Sequence, residues 1–373
     1  MSNKKKIGIL TFHNAHNYGA VLQAYALKTK LTRMGYEAKV LNYRNVYISR
    51  LYRRVFHIDL WKRDILPTRW GKVGRKLYEI FYGLREWQKQ WDAFEKFITE
   101  QLLDGNNEGM DLSDVEREQC DVYVMGSDQI WARELTHGFD PAYFGQFETH
   151  GKRISYAASV PNGEIPDGEK VYFKQYLENF TAVSVREEKL AAELQKLTGR
   201  DIETVIDPTL LLDREDYEKI LCSRLPVKEK YVFAYFVVES DMLSKCAAKA
   251  AERTGYRLIE LHYHKTPEIC GENMIFDAGP EEFLAYIRNA EMVLTNSFHG
   301  TVFSILFQKK FYSVYEVNGR ISNLLSYLQL EKRHITKEED ICVTDKIDYE
   351  TIEERLMEYR RKSIEYLQKG IEG

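Results

Sequence analysis

"KIGILTFHNAHNYGAVLQAYALKTKLTRMGYEAKVLNY", residues 6–43, decides the fold. KIGILTF (6–12) is a short apolar run that reads as a buried strand. After the polar loop HNAHNYG, apolar residues recur at helical spacing through GAVLQAYALKTKLTRMG (19–35), which ends on Gly35. EAKVLNY (37–43) returns to strand. The stretch is a βαβ unit.

The same alternation continues outward. Strands are expected at 121–125, 153–159 and 181–185, the last running into a helix over 186–197. DPTLLLD (207–213) then breaks the pattern at Pro208, and a domain boundary is placed after it. Beyond it, strands are expected at 231–238, 256–263, 291–295 and 310–315. Helices fall between and after them, including PEEFLAYIRNA, GTVFSILFQ and GRISNLLSYLQL. Two runs of alternating β and α predict an α/β protein of two doubly wound, Rossmann-like domains, 1–213 and 214–345. A long charged helix in 346–373 packs back across them.

The chain's 373 residues are more than one core usually holds, which agrees with two domains. Its composition, 44% apolar and 29% charged with net charge −4, offers no general attraction to nucleic acid. Five scattered cysteines with no CxxC read as reduced thiols. No run of about 18 apolar residues is present to span a membrane. The protein is therefore expected in the cytoplasm. Within an expected helical insertion at about 44–110, ten Lys/Arg between Arg44 and Lys76 face only Asp59 and Asp64, amid Tyr and Trp. This segment reads either as a solvated helical excursion or as a contact with the inner face of the membrane or a lipid-linked diphosphate.

Ligands of open α/β sheets collect at the carboxyl ends of strands, beside helix N-termini. Four polar clusters fall there. In HNAHNYGA (13–20), Gly19 permits close backbone approach, Asn17 can cap the helix, and His13, Asn17 and Tyr18 are candidate acceptor-binding groups. In MGSDQIWA (125–132), Ser127, Asp128, Gln129 and Trp131 suit a sugar: a carboxylate accepts from hydroxyls while an indole stacks on the C–H face. In VSVREE (183–188), Arg186 can fork onto carboxylate or phosphate, or pair with a nearby acid. In TNSFHGTVF (295–303), Asn296, Ser297 and Gly300 are candidate donor-binding groups, with a helix N-terminus at Gly300 open to an anion, and they frame His299, an imidazole at the seam of two buried elements. Neither a GxGxxG nor a Walker loop is present. His262 and His264 share a strand face but lack a third ligand, so no metal is expected.

Together these motifs resemble the polysaccharide pyruvyl transferase family. The matching stretches are NYGAVLQAYAL (17–27), DVYVMGSDQIW (121–131), SYAAS (155–159), SVREE (184–188), VIDPTLLL (205–212), TNSFHGTVFSILF (295–307) and GRISNLL (319–325). The resemblance implies a GT-B-like fold, with phosphoenolpyruvate as donor and no cofactor. Pyruvate would pass as a ketal to two hydroxyls of a sugar in a cell-surface polysaccharide or its precursor, with the acceptor lipid-linked in one version. The acceptor would lie mainly on the N-terminal domain and the donor mainly on the C-terminal one. Relatives often carry Arg-Leu-His where this chain has Phe298-His299, so the donor's counter-charge would come from Arg186, Arg320 or a lysine.

In the expected chemistry His299 contacts the donor and passes it a proton. Arg186 clamps the donor, and Asp128 is the base or hydroxyl anchor for the acceptor. Two other readings share the scaffold: a GT-B-type nucleotide-sugar glycosyltransferase, and a non-catalytic sugar-binding protein.

Overall fold

The computed structural model describes residues 4–51, 83–222, 225, 227–266 and 269–373. The basic segment read at 44–76 lies outside the described residues from position 52 onward. Twelve strands, β1 to β12 in chain order, and eight longer helices carry the described fold. The helices are α1 (Tyr18–Arg33), α2 (Leu84–Phe97), α3 (Glu188–Thr198), α4 (Asp241–Thr254), α5 (Pro280–Asn289), α6 (Phe298–Leu306), α7 (Gly319–Tyr327) and α8 (Tyr349–Glu372).

The N-terminal sheet holds β1 (Lys6–Leu10), β2 (Glu37–Val40), β3 (Val122–Met125) and β4 (Lys152–Ser155) in the order β2-β1-β3-β4, all parallel. A parallel pair, β5 (Val183–Val185) and β6 (Ile202–Thr204), continues it. The serines Ser155 and Ser184 bond across the β4–β5 seam, each hydroxyl donating to the other's carbonyl at 2.9 Å. The C-terminal sheet adds β7 (Tyr231–Tyr235), β8 (Arg257–Leu261), β9 (Met274–Ile275), β10 (Met292–Thr295), β11 (Lys310–Val314) and β12 (His334–Ile335). Its order, β12-β11-β10-β7-β8-β9, is again wholly parallel. This is the α/β, doubly wound arrangement the sequence predicts. Parallel strands buried on both faces need near-continuous apolar runs, and VYVM and MVLT are buried throughout.

Several strands stop short of their expected ends, three of them by three residues or more and for a local reason. The run expected over 153–159 ends at Ser155, because Ala157 turns left-handed with φ +50°. The run over 231–238 ends at Tyr235. There Asn296 takes over the backbone: its Oδ1 accepts from Val237 N at 2.9 Å and its Nδ2 donates to Val238 O at 2.6 Å. The run over 37–43 ends at Val40, and Tyr43 bridges instead to Met110.

Helix α1 sits between the two sheets, and every residue from Tyr18 to Leu27 is buried. Tyr18 stacks on Phe283 of α5 with centroids 4.4 Å apart and donates to Ala278 O at 2.7 Å. One apolar core therefore runs through both halves. Helix α8 crosses back over the join. Tyr366 donates to Ser155 O at 2.7 Å, Ser363 Oγ accepts from Ile206 N at 3.1 Å, and Arg355 reaches Leu328 O at 2.9 Å.

Arg360 fastens α8 to the segment joining the sheets. It is 8% exposed, and it donates to Leu210 O at 2.6 Å and Leu212 O at 3.0 Å while pairing with Asp213 and Glu353. Arg360→Leu would leave two buried carbonyls unpaired, at an expected cost of about 2–4 kcal/mol. Urea unfolding reads this directly; an unchanged midpoint would show that the helix is not fastened there.

Candidate functional site

Three of the four polar clusters converge on a carboxylate that lies in none of them, and the fourth reaches it through His299. Asp207 follows β6 and precedes Pro208, and its side chain is wholly buried. Its Oδ1 accepts from Thr209 N at 3.0 Å and from Thr209 Oγ1 at 2.6 Å. Its Oδ2 accepts from Arg186 Nη1 at 2.7 Å and lies 3.5 Å from Ser127 Oγ and 3.7 Å from His299 Nε2. At 3.7 Å the histidine contact is electrostatic rather than a hydrogen bond. Burial alone would raise the Asp207 pKa, but His299, Arg186 and Thr209 together hold it well below the usual carboxylate value.

Arg186 leaves the end of β5 and is itself buried. Besides Asp207 it meets Glu187 Oε1 at 3.3 Å, while its Nη2 has no partner. Burial works against its charge, yet Glu187, Asp207 and Asp128 raise its pKa further above that of a free guanidinium. Glu187 is also buried, and accepts from Ser159 Oγ at 2.8 Å. The pairing with a nearby acid is thus present, and it leaves one guanidinium edge over.

The C-terminal half contributes the start of α6. Ser297 is the N-cap, and its Oγ accepts from Gly300 N at 3.2 Å. The helix therefore begins at Phe298, earlier than the expected 300, and places His299 in its first turn. The Gly300 N–H expected to face an anion is already taken, and Thr295 packs where a Gly300 side chain would stand. Asn296 is committed to the 237–238 backbone. Asn296, Ser297 and Gly300, expected as donor-binding groups, here build the turn that presents Phe298 and His299.

Phe298 lies between two guanidinium groups, with Arg186 Cζ 5.0 Å and Arg320 Cζ 6.0 Å from its ring centroid. Arg320, at the start of α7, has no ion-pair partner among the described residues. Burial and the charge of Arg186 lower its pKa. The space bounded by Arg186, Asp207, Phe298, Arg320 and Tyr327 is about 30 Å³. His299 Nε2, like Arg186 Nη2, is buried without a hydrogen-bond partner.

The N-terminal half reaches this cluster through α1 and the 126–129 loop. Asn17 caps α1, accepting from Gly19 N at 3.0 Å and Ala20 N at 3.2 Å. A side chain at Gly19 would begin 1.9 Å from His299 Nδ1, so the imidazole lies flat against backbone that only glycine leaves open. Gln23, one turn on, accepts from Ser127 N at 3.3 Å and donates to Thr11 Oγ1 at 2.8 Å, fixing the loop. Asp128 is half-buried with φ +76°, a strained conformation of the kind found at binding sites. Gln129 is half-buried beside it, and its N–H donates to Asp128 Oδ1 at 2.9 Å.

Three expected acceptor-binding residues face inward instead. His13 is fully buried, its ring nitrogens engaged by Thr11 O at 3.1 Å and Asn42 Oδ1 at 3.0 Å, and burial lowers its pKa. Trp131 donates to Tyr143 O at 3.0 Å and stacks on Phe144, inside the core. Tyr18 is held by Phe283 and Ala278. Asp207 and Glu187 were not among the expected site residues; the signal for Asp207 was an Asp-Pro step closing the short apolar stretch Val205-Ile206 after β6.

Residues 17–316 match the family model for polysaccharide pyruvyl transferase. No curated protein matches the chain in sequence. Among solved structures it is similar to the MnaA–UDP co-structure from S. aureus, at 12% identity over 98% of this chain and 96% of that one, with a TM-score of 0.52. It is also similar to a UDP-N-acetylglucosamine 2-epimerase, at 11% identity over 99% and 96%, again with a TM-score of 0.52. These likenesses establish the GT-B-like fold.

The ionised Asp207 couples the site to pH. Because its folded pKa lies below the unfolded value, its stabilisation is complete above the ordinary carboxylate value near 4. It is lost as pH falls from there toward the folded pKa. Asp207→Asn should destabilise the protein at pH 7 by about 3–5 kcal/mol, because it strands the Arg186 charge. It should also flatten the acid limb of a melting-temperature profile between about pH 5 and 3. An acid limb identical to the parent's would refute this role.

Proposed function

We propose a reaction from one premise: the chain belongs to the polysaccharide pyruvyl transferase family. The proposed reaction moves the three-carbon unit of phosphoenolpyruvate onto two hydroxyls of one sugar. A proton adds to the methylene carbon, and the adjacent carbon takes on oxocarbenium character. The first hydroxyl attacks it, the C–O bond to phosphate breaks, and the second hydroxyl closes the ketal. Of the two hydroxyl protons, one balances the new methyl group and the other leaves with inorganic phosphate.

What supports this reading is the meeting of His299 with Gly19, Asp207 and Arg186, which joins stretches of both halves in one cluster. In the proposed site His299 Nε2 passes its proton to the methylene, and the ionised Asp207 beside it stabilises the imidazolium. The free edge of Arg186 and the unpaired Arg320 hold the donor's carboxylate and phosphate. The cavity of about 30 Å³ is too small for a phosphate ester, so Arg320 swings off Phe298 as the donor enters. Asp128 anchors or deprotonates a sugar hydroxyl. The acceptor belongs to a polysaccharide or its precursor, and the reaction takes place on the cytoplasmic side of the membrane.

The test is phosphate release from phosphoenolpyruvate with a panel of nucleotide and lipid-linked sugars. Turnover should require both substrates, and His299→Ala and Arg186→Ala should each lower kcat by about 10²-fold or more. Full turnover in both variants would overturn the site. Stabilisation by UDP or GDP, with none by phosphoenolpyruvate, would favour a nucleotide-sugar glycosyltransferase.

A further inference from the structure

A second cavity of about 550 Å³ opens between the two halves, outside the Asp207 cluster. One wall is α2, which presents Trp87 and Trp91, both half-buried. The facing wall is the backbone and side chains after β7 and β8, with Val238, Glu239, Tyr263 and His264. Asn17, the N-cap of α1, stands at its inner end, two residues before the glycine that touches His299. The cavity and the cluster thus share one helix terminus.

The lining discriminates among ligands. Among the described residues that line it there is no lysine or arginine. Lys265, which follows His264, donates to Glu86 at 3.0 Å. Glu239 is the one carboxylate among the described lining residues, and it is fixed in place: His262 Nδ1 bonds its two oxygens at 2.9 and 3.1 Å. His262 is itself stacked on Phe236 with centroids 4.3 Å apart. A carboxylate so held keeps lone pairs for further donors, and it repels phosphate. Val238, 67% exposed, adds apolar surface that water covers at a cost. Indoles and a tyrosine suit the C–H faces of a ring whose edges carry hydroxyls. A nucleoside diphosphate would bring two or more negative charges to a wall that, among the described residues, has one carboxylate and no lysine or arginine.

We propose that this cavity binds an uncharged pyranose ring of the acceptor glycan, stacked on Trp87 and Trp91 with its hydroxyls donating to Glu239. The proposal rests on the pyruvyl-transfer reading, and it places this ring between the halves rather than against Trp131, while Asp128 keeps its role at the reacting hydroxyls. The ring is held beside Asn17 and delivers its neighbour, or its own far edge, toward His299.

The probes are methyl glucopyranoside, galactopyranoside and mannopyranoside at millimolar concentration, with UDP as the anionic comparator. Each is observed by saturation-transfer NMR on the full chain. At least one pyranoside should receive saturation from the parent protein. Trp87→Ala and Trp91→Ala should each weaken that transfer at least about fivefold. Glu239→Gln, which keeps one acceptor oxygen for His262 at a side chain about half exposed, should weaken it while the protein stays folded by its melting transition. Silence from all three pyranosides, equal transfer in the variants, or transfer to UDP alone would overturn the proposal. Phosphate release separates it from the reaction itself. Unchanged acceptor KM in active tryptophan variants would remove the cavity's role and leave pyruvyl transfer standing. Pyranoside binding with no phosphate release would do the reverse.

Discussion

A carboxylate with no exposed surface organises the join between the two halves. Moving such a group out of water costs several kcal/mol unless its lone pairs are met. Asp207 meets that cost with Thr209 from its own turn and with Arg186 from the end of β5. Ser127 and His299 approach from two further segments. Since Asp207 has to stay ionised, all of these segments are held to one point. The peptide after it is also the anchor of α8, through Leu210 and Leu212. The electrostatic centre and the mechanical join are therefore one stretch of chain.

That arrangement explains the crowding around α1. A helix packed on one sheet keeps a polar face, yet α1 is buried on all sides over its first ten residues, because the 208–211 segment and the helices α5 and α6 of the other half close on it. Gly19 is the closest point of that contact, with His299 against it. Phe298, next to His299, gathers Arg186 and Arg320 on its ring. An aromatic ring holds cations without neutralising them, so both guanidiniums stay available in charge, though little space is left between them.

Much of this was legible in the sequence because it follows from period. The βαβ opening, the parallel strands and α5 to α8 announce themselves by apolar spacing. What escaped depends on distant partners. Asn296 ends the β7 strand from sixty residues away, and no local pattern of YVFAYFVV records that. β9 and β12 are two-residue strands, too short for any period. His13 and Trp131 look like binding groups by type, but a loop's residue types do not say which of its faces turns inward. Asp207 was read as the end of a domain, since an Asp-Pro step favours a turn whether or not a site is there. Arg186, Asp128 and His299 were legible because each stands at a strand end, where the open-sheet geometry directs side chains toward the join.

The charges at the join also constrain how any anion enters. Asp128, Glu187 and Asp207 oppose Arg186 and Arg320 in one small region, so the buried charges already have counter-ions in this state. An incoming anion gains only what those carboxylates give up. Arg320 is the group that exchanges most easily, because its contact is with a ring and not with a carboxylate. Arg186 has only its unpaired edge to offer, since detaching it from Asp207 would strand a buried charge. Binding energy would therefore come from moving Arg320 across Phe298, while Arg186 and Asp207 stay fixed. On the proposed reaction, that division would give the phenylalanine a physical purpose: it would park a cation free to move beside one held by a carboxylate.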